Sequence, residues 1–120
     1  MKAKKPVLIL VLLLCIGAGA RIFGAWCYRG NLHPDAAVVA LMAKHMAEGK
    51  DWPVFFYGQP YMGTLEPAVS GLLCKVFGVS GFMVCLGTAL LGILTLPVIY
   101  LWARDAGGPA AGAAALAVCR

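Results

Sequence analysis

The chain has 120 residues, of which 62% are hydrophobic and 12% charged, with a mean hydropathy of +0.85, whereas a soluble domain is charged at roughly a quarter of its positions. This composition excludes an ordinary soluble domain and points to an all-α, multi-pass integral membrane protein in contact with the lipid bilayer. The formal charge of +5 does not indicate a nucleic-acid partner, because the basic residues are scattered and no RNA- or DNA-binding motif accompanies them.

The first apolar element covers residues 6–26, preceded by Lys2, Lys4 and Lys5. Its uninterrupted part, Pro6 to Ala20, would reach only about 22 Å, short of a hydrocarbon core of roughly 30 Å. A first transmembrane helix therefore has to include Arg21, whose guanidinium is expected to snorkel to the outer interface near Trp26 and Tyr28. The Lys-rich start, the apolar centre and Ala18-Gly19-Ala20 give a competing, lesser reading as a cleaved signal peptide.

Residues 27–78 form a polar and aromatic loop with surface helices. Pro34 suits a first helical position and Gly49 a helix end, and Val38, Leu41, Met42 and Met46 recur at helical spacing opposite Lys44 and Glu48. That spacing predicts an amphipathic helix lying along the membrane surface. Trp52 to Gly63 has too much glycine, proline and aromatic content for a helix and is expected to be an irregular loop. A second helix starts near Thr64, with Pro67 in its first turn, and runs through Leu72, Leu73 and Val76 to Gly78. It is too short to span and is expected to lie partly in the interface.

The next run, residues 79–103, is free of charge and long enough for a second transmembrane helix, with a kink expected at Pro97. Thr88 and Gly92 make a small-xxx-small pair that lets another helix approach. Tyr100, Trp102 and Arg104 mark a cytoplasmic interface, and with the lysines at the start of the chain they place both ends of this pair of spans inside and the loop outside. A turn at Gly107-Gly108-Pro109 leads into residues 109–120, where Ala110 to Cys119 is about half a crossing. The chain therefore reads as the N-terminal part of a longer protein, or as a truncated reading frame, ending inside a third transmembrane helix.

The five cysteines, Cys15, Cys27, Cys74, Cys85 and Cys119, form no Cys-x-x-Cys pair and read as small membrane-buried residues. No phosphate-cradling glycine loop, nucleophile elbow or zinc spacing occurs, which disfavours nucleotide-fuelled and hydrolytic chemistry.

Two stretches carry a resemblance. Asp35-Ala36-Ala37-Val38-Val39-Ala40-Leu41-Met42-Ala43-Lys44-His45 and Glu48-Gly49-Lys50-Asp51-Trp52-Pro53-Val54-Phe55-Phe56-Tyr57-Gly58-Gln59-Pro60-Tyr61-Met62-Gly63-Thr64-Leu65-Glu66 resemble the first outer loop of bacterial multi-pass glycosyltransferases. These form the C-type superfamily (GT-C), which includes the protein O-mannosyltransferases and the lipid A aminoarabinose transferase. The resemblance implies transfer of a sugar from a polyprenyl-phosphate carrier to a glycan, lipid or protein acceptor on the outer face of a bacterial plasma membrane. Many relatives have Asp-Glu at the start of this loop where this chain has Asp35-Ala36, which leaves use of a divalent cation and the acceptor class open.

In such a transfer a carboxylate takes the proton from the acceptor hydroxyl, or holds a cation beside the departing phosphate. The resemblance gives that role to Asp35; spacing alone reads it as an acid favoured by the helix dipole. Glu66 is open to the same two readings, helix capping or contact with substrate. Tyr57, Gln59 and Tyr61 would stack on and hydrogen-bond a sugar or the carrier phosphate, or are ordinary interfacial aromatic and polar residues, and Lys44 and His45 would meet phosphate or form a solvated face. His33 with Asp35 supplies too few ligand types for a metal site, so none is assigned. The competing class is a small non-enzymatic membrane protein, or a remnant of such an enzyme, whose loop binds a partner. Under either reading these 120 residues have too few helices to enclose carrier and acceptor, so they are expected to be inactive alone.

Overall fold

The computed structural model describes residues 4–119, with side chains from residue 7 onward. It is helical over most of its length, in the order α1 (Lys4–Tyr28), α2 (Pro34–Ala47), β1 (Phe55–Phe56), β2 (Gln59–Gly63), α3 (Leu65–Phe77) and α4 (Gly81–Val118). The chain divides into two units, one of residues up to Phe23 and from Leu90 onward, the other Gly24–Ala89. Helices α1 and α4 are both long and apolar enough to cross a membrane. Of the charges expected to orient the chain, Lys2 and the side chains of Lys4 and Lys5 lie outside the described residues, whereas Arg104 is described and exposed.

Helix α1 continues unbroken through Arg21 for 25 residues, about 37 Å. In its unit, Val7, Leu8, Ile9, Val11, Leu12 and Ile16 are exposed, as suits a helix surrounded by lipid. Arg21 departs from the expected snorkelling. Its Nη2 donates to the Cys119 carbonyl oxygen (2.9 Å), its Nε is buried without a hydrogen-bond partner among the described residues, and a Cβ at Gly92 would lie 2.7 Å from its Nη1. The glycine of the small-xxx-small pair thus admits a guanidinium rather than a bare helix surface. An arginine within an apolar helix opposes insertion by about 2 to 3 kcal/mol. An isolated α1 segment with Arg21→Leu is therefore expected to insert more favourably by about 2 kcal/mol in a translocon assay. An unchanged insertion fraction would show that the charge escapes to the interface after all.

Helix α4 keeps helical dihedrals at Pro97 and breaks at Gly108 (φ 83°, ψ 179°), just before Pro109. The left-handed region favours glycine, and the proline after it cannot donate to the preceding turn. The chain then folds back: a Cβ at Gly112 would lie 2.8 Å from Tyr100 Cε2 and 3.0 Å from the Tyr100 carbonyl oxygen, although twelve residues of straight helix would separate them by about 18 Å. The turn expected at Gly107-Gly108-Pro109 is present.

In the unit Gly24–Ala89, the apolar stripe of α2 is Val39, Met42, Ala43 and Met46, one residue away from the expected Val38 and Leu41 at its N-terminal half; Leu41 is exposed. This stripe has the i, i+3, i+4, i+7 spacing of a packed face. It packs on α3 rather than on lipid. Gly71 of α3 makes the approach close, since a Cβ there would lie 2.9 Å from Met46 Cβ and 3.2 Å from the Ala43 carbonyl oxygen. On the other side of the same face of α3, Ser70 Oγ donates to the Val84 carbonyl oxygen (3.1 Å), and Gly87 leaves room for Ser70. Val39, Met42, Ala43, Phe56, Cys74 and Val84 form the core of this unit.

The segment expected to be an irregular loop contains a small antiparallel hairpin, β1 paired with β2, with Phe55 opposite Gly63, Phe56 opposite Gln59 and a bulge between. Gly58 takes φ 74° in the turn, which a residue with a side chain rarely adopts. Thr64 Oγ1 closes the base by donating to the Pro53 carbonyl oxygen (2.8 Å) instead of capping α3. Phe56, buried in the core, anchors strands that would be too short to stand alone.

Candidate functional site

Helix α2 ends in a turn that brings the loop back toward it. Gly49 has φ 71°, its N–H donates to the Met46 carbonyl oxygen (3.1 Å), and Lys50 N–H donates to the His45 carbonyl oxygen (2.9 Å). These are the two hydrogen bonds of a Schellman motif. Lys50 and Asp51 are thereby turned back beside the last turn of α2, where the hairpin delivers Tyr57.

The result is a polar cluster. The Tyr57 hydroxyl donates to Asp51 Oδ2 (3.1 Å) and lies 3.0 Å from His45 Nδ1, with the two rings 5.9 Å apart. With the phenol proton committed to Asp51, the phenol oxygen is left to accept from His45 Nδ1–H. Desolvation of the phenol, and then its bond to Asp51, push the Tyr57 hydroxyl above its usual value. The fold therefore favours the protonated phenol; that contribution is present below the ordinary tyrosine value and is lost as pH rises through the raised one. Absorbance at 295 nm should show a component titrating above the ordinary tyrosine value, and Tyr57→Phe should remove that component. Asp51→Asn should move it only part of the way back, because desolvation is the larger cause; full reversal would overturn this ordering.

Beside this cluster Lys50 Nζ lies 2.6 Å from Glu48 Oε2, and Lys44 Nζ lies 3.9 Å from Glu48 Oε1. The Lys50 ammonium holds the Glu48 carboxyl below its usual range. The contribution of that carboxylate is present above the ordinary glutamate value and fades as pH falls through the lowered one. Lys44 is thus partly neutralised as a phosphate contact.

The residues singled out in the sequence do not meet at one point. Asp35 is exposed in the first turn of α2 and makes no hydrogen bond or ion pair among the described residues. His45 is ten residues further along the same helix, about 15 Å by rise. Glu66, half-buried in the first turn of α3, accepts from the Thr88 hydroxyl (2.6 Å) and so ties α3 to α4. Gln59 and Tyr61 lie on β2, two residues apart and hence on one face, and Tyr61 is 80% exposed. The cluster His45, Tyr57 and Asp51 was only partly legible. Asp51 carried no signal beyond the Gly49 turn that swings it back.

No group of three His, Cys, Asp or Glu side chains among the described residues is placed to hold a metal ion. A cation at Asp35 would find one carboxylate, with His33 two positions earlier making no side-chain cap. Of the cysteines, read as membrane-buried, Cys15 and Cys27 are exposed, and all five are free thiols; burial pushes the Cys74 thiol up and keeps it protonated.

What this arrangement defines is a mostly helical protein with two helices able to cross a membrane, and, between them in sequence, a helix–hairpin–helix unit carrying an exposed aspartate and a polar cluster. Comparison with protein-family models, with curated proteins and with solved structures finds no match.

Proposed function

We propose that the chain is the carrier-facing portion of an integral membrane glycosyltransferase of the C type, which moves a sugar from polyprenyl phosphate to an acceptor hydroxyl on the outer face of the membrane. The observation that carries this reading is Asp35: an exposed carboxylate without a partner among the described residues, joined to the apolar helix α1 by only the residues 29–33. In the reaction, the acceptor O–H proton passes to the Asp35 carboxylate as the oxygen bonds to the anomeric carbon. The bond from that carbon to the phosphate oxygen breaks, and its electron pair leaves with polyprenyl phosphate. His45, Tyr57, Gln59, Tyr61, Lys44 and Glu66 would contact sugar or phosphate from the surrounding surface.

The test is donor choice. The membrane protein, reconstituted in vesicles with a water-soluble acceptor, is expected to consume a polyprenyl-phosphate-linked sugar and to ignore the matching nucleotide sugar. Transfer from the nucleotide sugar at an equal rate would overturn the reading. A second reading is favoured by the separation of Asp35 from the His45–Tyr57–Asp51 cluster: a non-enzymatic membrane protein whose loop binds a partner. It predicts no transfer from either donor.

A further inference from the structure

Helix α3 has two apolar faces. Pro67, Ser70, Gly71 and Cys74 are buried against α2 and the start of α4. Turned by half a circle, Leu65, Val69, Leu72 and Val76 follow one another at i, i+4, i+7 and i+11, which a helix of 3.6 residues per turn places in a single stripe. Leu65 is 69% exposed, Leu72 54% and Val76 74%. The charged residues of α3, Glu66 and Lys75, fall on its two flanks by the same rotation. At 13 residues, about 20 Å, the helix is too short to cross a bilayer.

We propose that α3 is an in-plane membrane helix whose Leu65–Val69–Leu72–Val76 stripe is buried in the lipid interface while its opposite face carries α2. Continuity with α4 selects lipid as the occupant. Only residues 78–80 separate the end of α3 from Gly81, and the exposed Phe77 and Val79 extend the apolar surface into a helix able to cross a membrane. In the first turn of α4, Phe82 packs edge-on against Trp26 (5.6 Å between ring centres), and the Arg29 guanidinium lies over the Trp26 ring at 3.7 Å. Tryptophan with arginine at a helix end marks the headgroup level, and the short connection holds the end of α3 near that level. The stripe then enters about 5 to 10 Å into the boundary of headgroups and acyl chains. Helix α2, packed on the far side, rides about 8 to 10 Å further out, which keeps Lys44, His45 and Glu48 in water. None of this depends on the glycosyltransferase reading.

The test uses the full chain, unmodified, in vesicles of phosphatidylcholine and phosphatidylglycerol. Photolysis of a lipid-soluble diazirine is expected to modify Leu65, Leu72 and Val76 and to spare Met42 and Met46, whereas a water-soluble diazirine should modify the Lys44–Glu48 segment and spare the stripe. In a background with the native cysteines replaced by alanine, a spin label at Leu72→Cys should collide readily with oxygen and rarely with a nickel chelate, and one at Lys44→Cys should do the reverse. Nickel access at position 72 would mean that the stripe faces water. Protection from both reagents, with or without spin–spin broadening from a second copy, would mean that protein covers it; either result overturns the proposal.

Discussion

Under the proposed function, replacement of Asp35 by asparagine is expected to lower sugar transfer by about 10² to 10⁴-fold, the usual loss when a positioned general base is removed. Asparagine keeps the shape of the side chain and its ability to accept hydrogen bonds but cannot take the acceptor proton. The loss should fall on the rate constant at saturating donor, with little change in donor affinity, because Asp35 lies some 15 Å by helix rise from the His45–Tyr57 cluster. Asp35→Glu should recover part of the rate, since the carboxylate is retained one methylene further out. The competing account makes Asp35 an acid that the dipole of α2 favours by about 0.3 to 1 kcal/mol. That account predicts a slightly less stable helix and an unchanged rate. Transfer at the wild-type rate by Asp35→Asn would remove the aspartate from the reaction, whatever else the loop does.

The second large effect is expected at Gly87. Its missing side chain is what lets α4 meet α3, because a Cβ there would overlap Ser70 Oγ and lie 2.8 Å from Ser70 Cα and 2.9 Å from its backbone nitrogen. Two of these neighbours are backbone atoms and cannot rotate away. Gly87→Ala must therefore push α3 from α4 and break the buried hydrogen bond from Ser70 Oγ to the Val84 carbonyl oxygen. Overpacking of this kind costs about 1 to 3 kcal/mol and the lost hydrogen bond about 1 kcal/mol more. Together they should destabilise the unit by about 3 kcal/mol. Denaturation of the detergent-solubilised protein, followed by circular dichroism, measures the change. Gly71→Ala provides the comparison: its tightest neighbour is Met46 Cβ at 2.9 Å, with the Ala43 carbonyl oxygen at 3.2 Å, so a shift of α2 relieves most of the strain. A Gly87→Ala variant as stable as the parent would mean that α3 and α4 do not pack as described.

The sequence by itself determined what one-dimensional chemistry controls. Apolar length defined α1 and α4 as elements able to cross a membrane; proline at a helix start and glycine past its end bounded α2; and Gly108 with Pro109 broke α4, because left-handed backbone and a missing donor act on the residues that carry them. What faces what was decided only in three dimensions. Arg21 had two outlets, the interface and a carbonyl oxygen distant in sequence, and periodicity contains no information about the second. The stripe of α2 moved to Val39 and Ala43 because Gly71 offered a closer partner than lipid. The hairpin formed where composition suggested only a loop, since Phe56 found a core to enter. Tyr57, His45 and Asp51 became one cluster because the Schellman turn at Gly49 reverses the chain, and contacts between residues remote in sequence depend on such reversals rather than on any local preference.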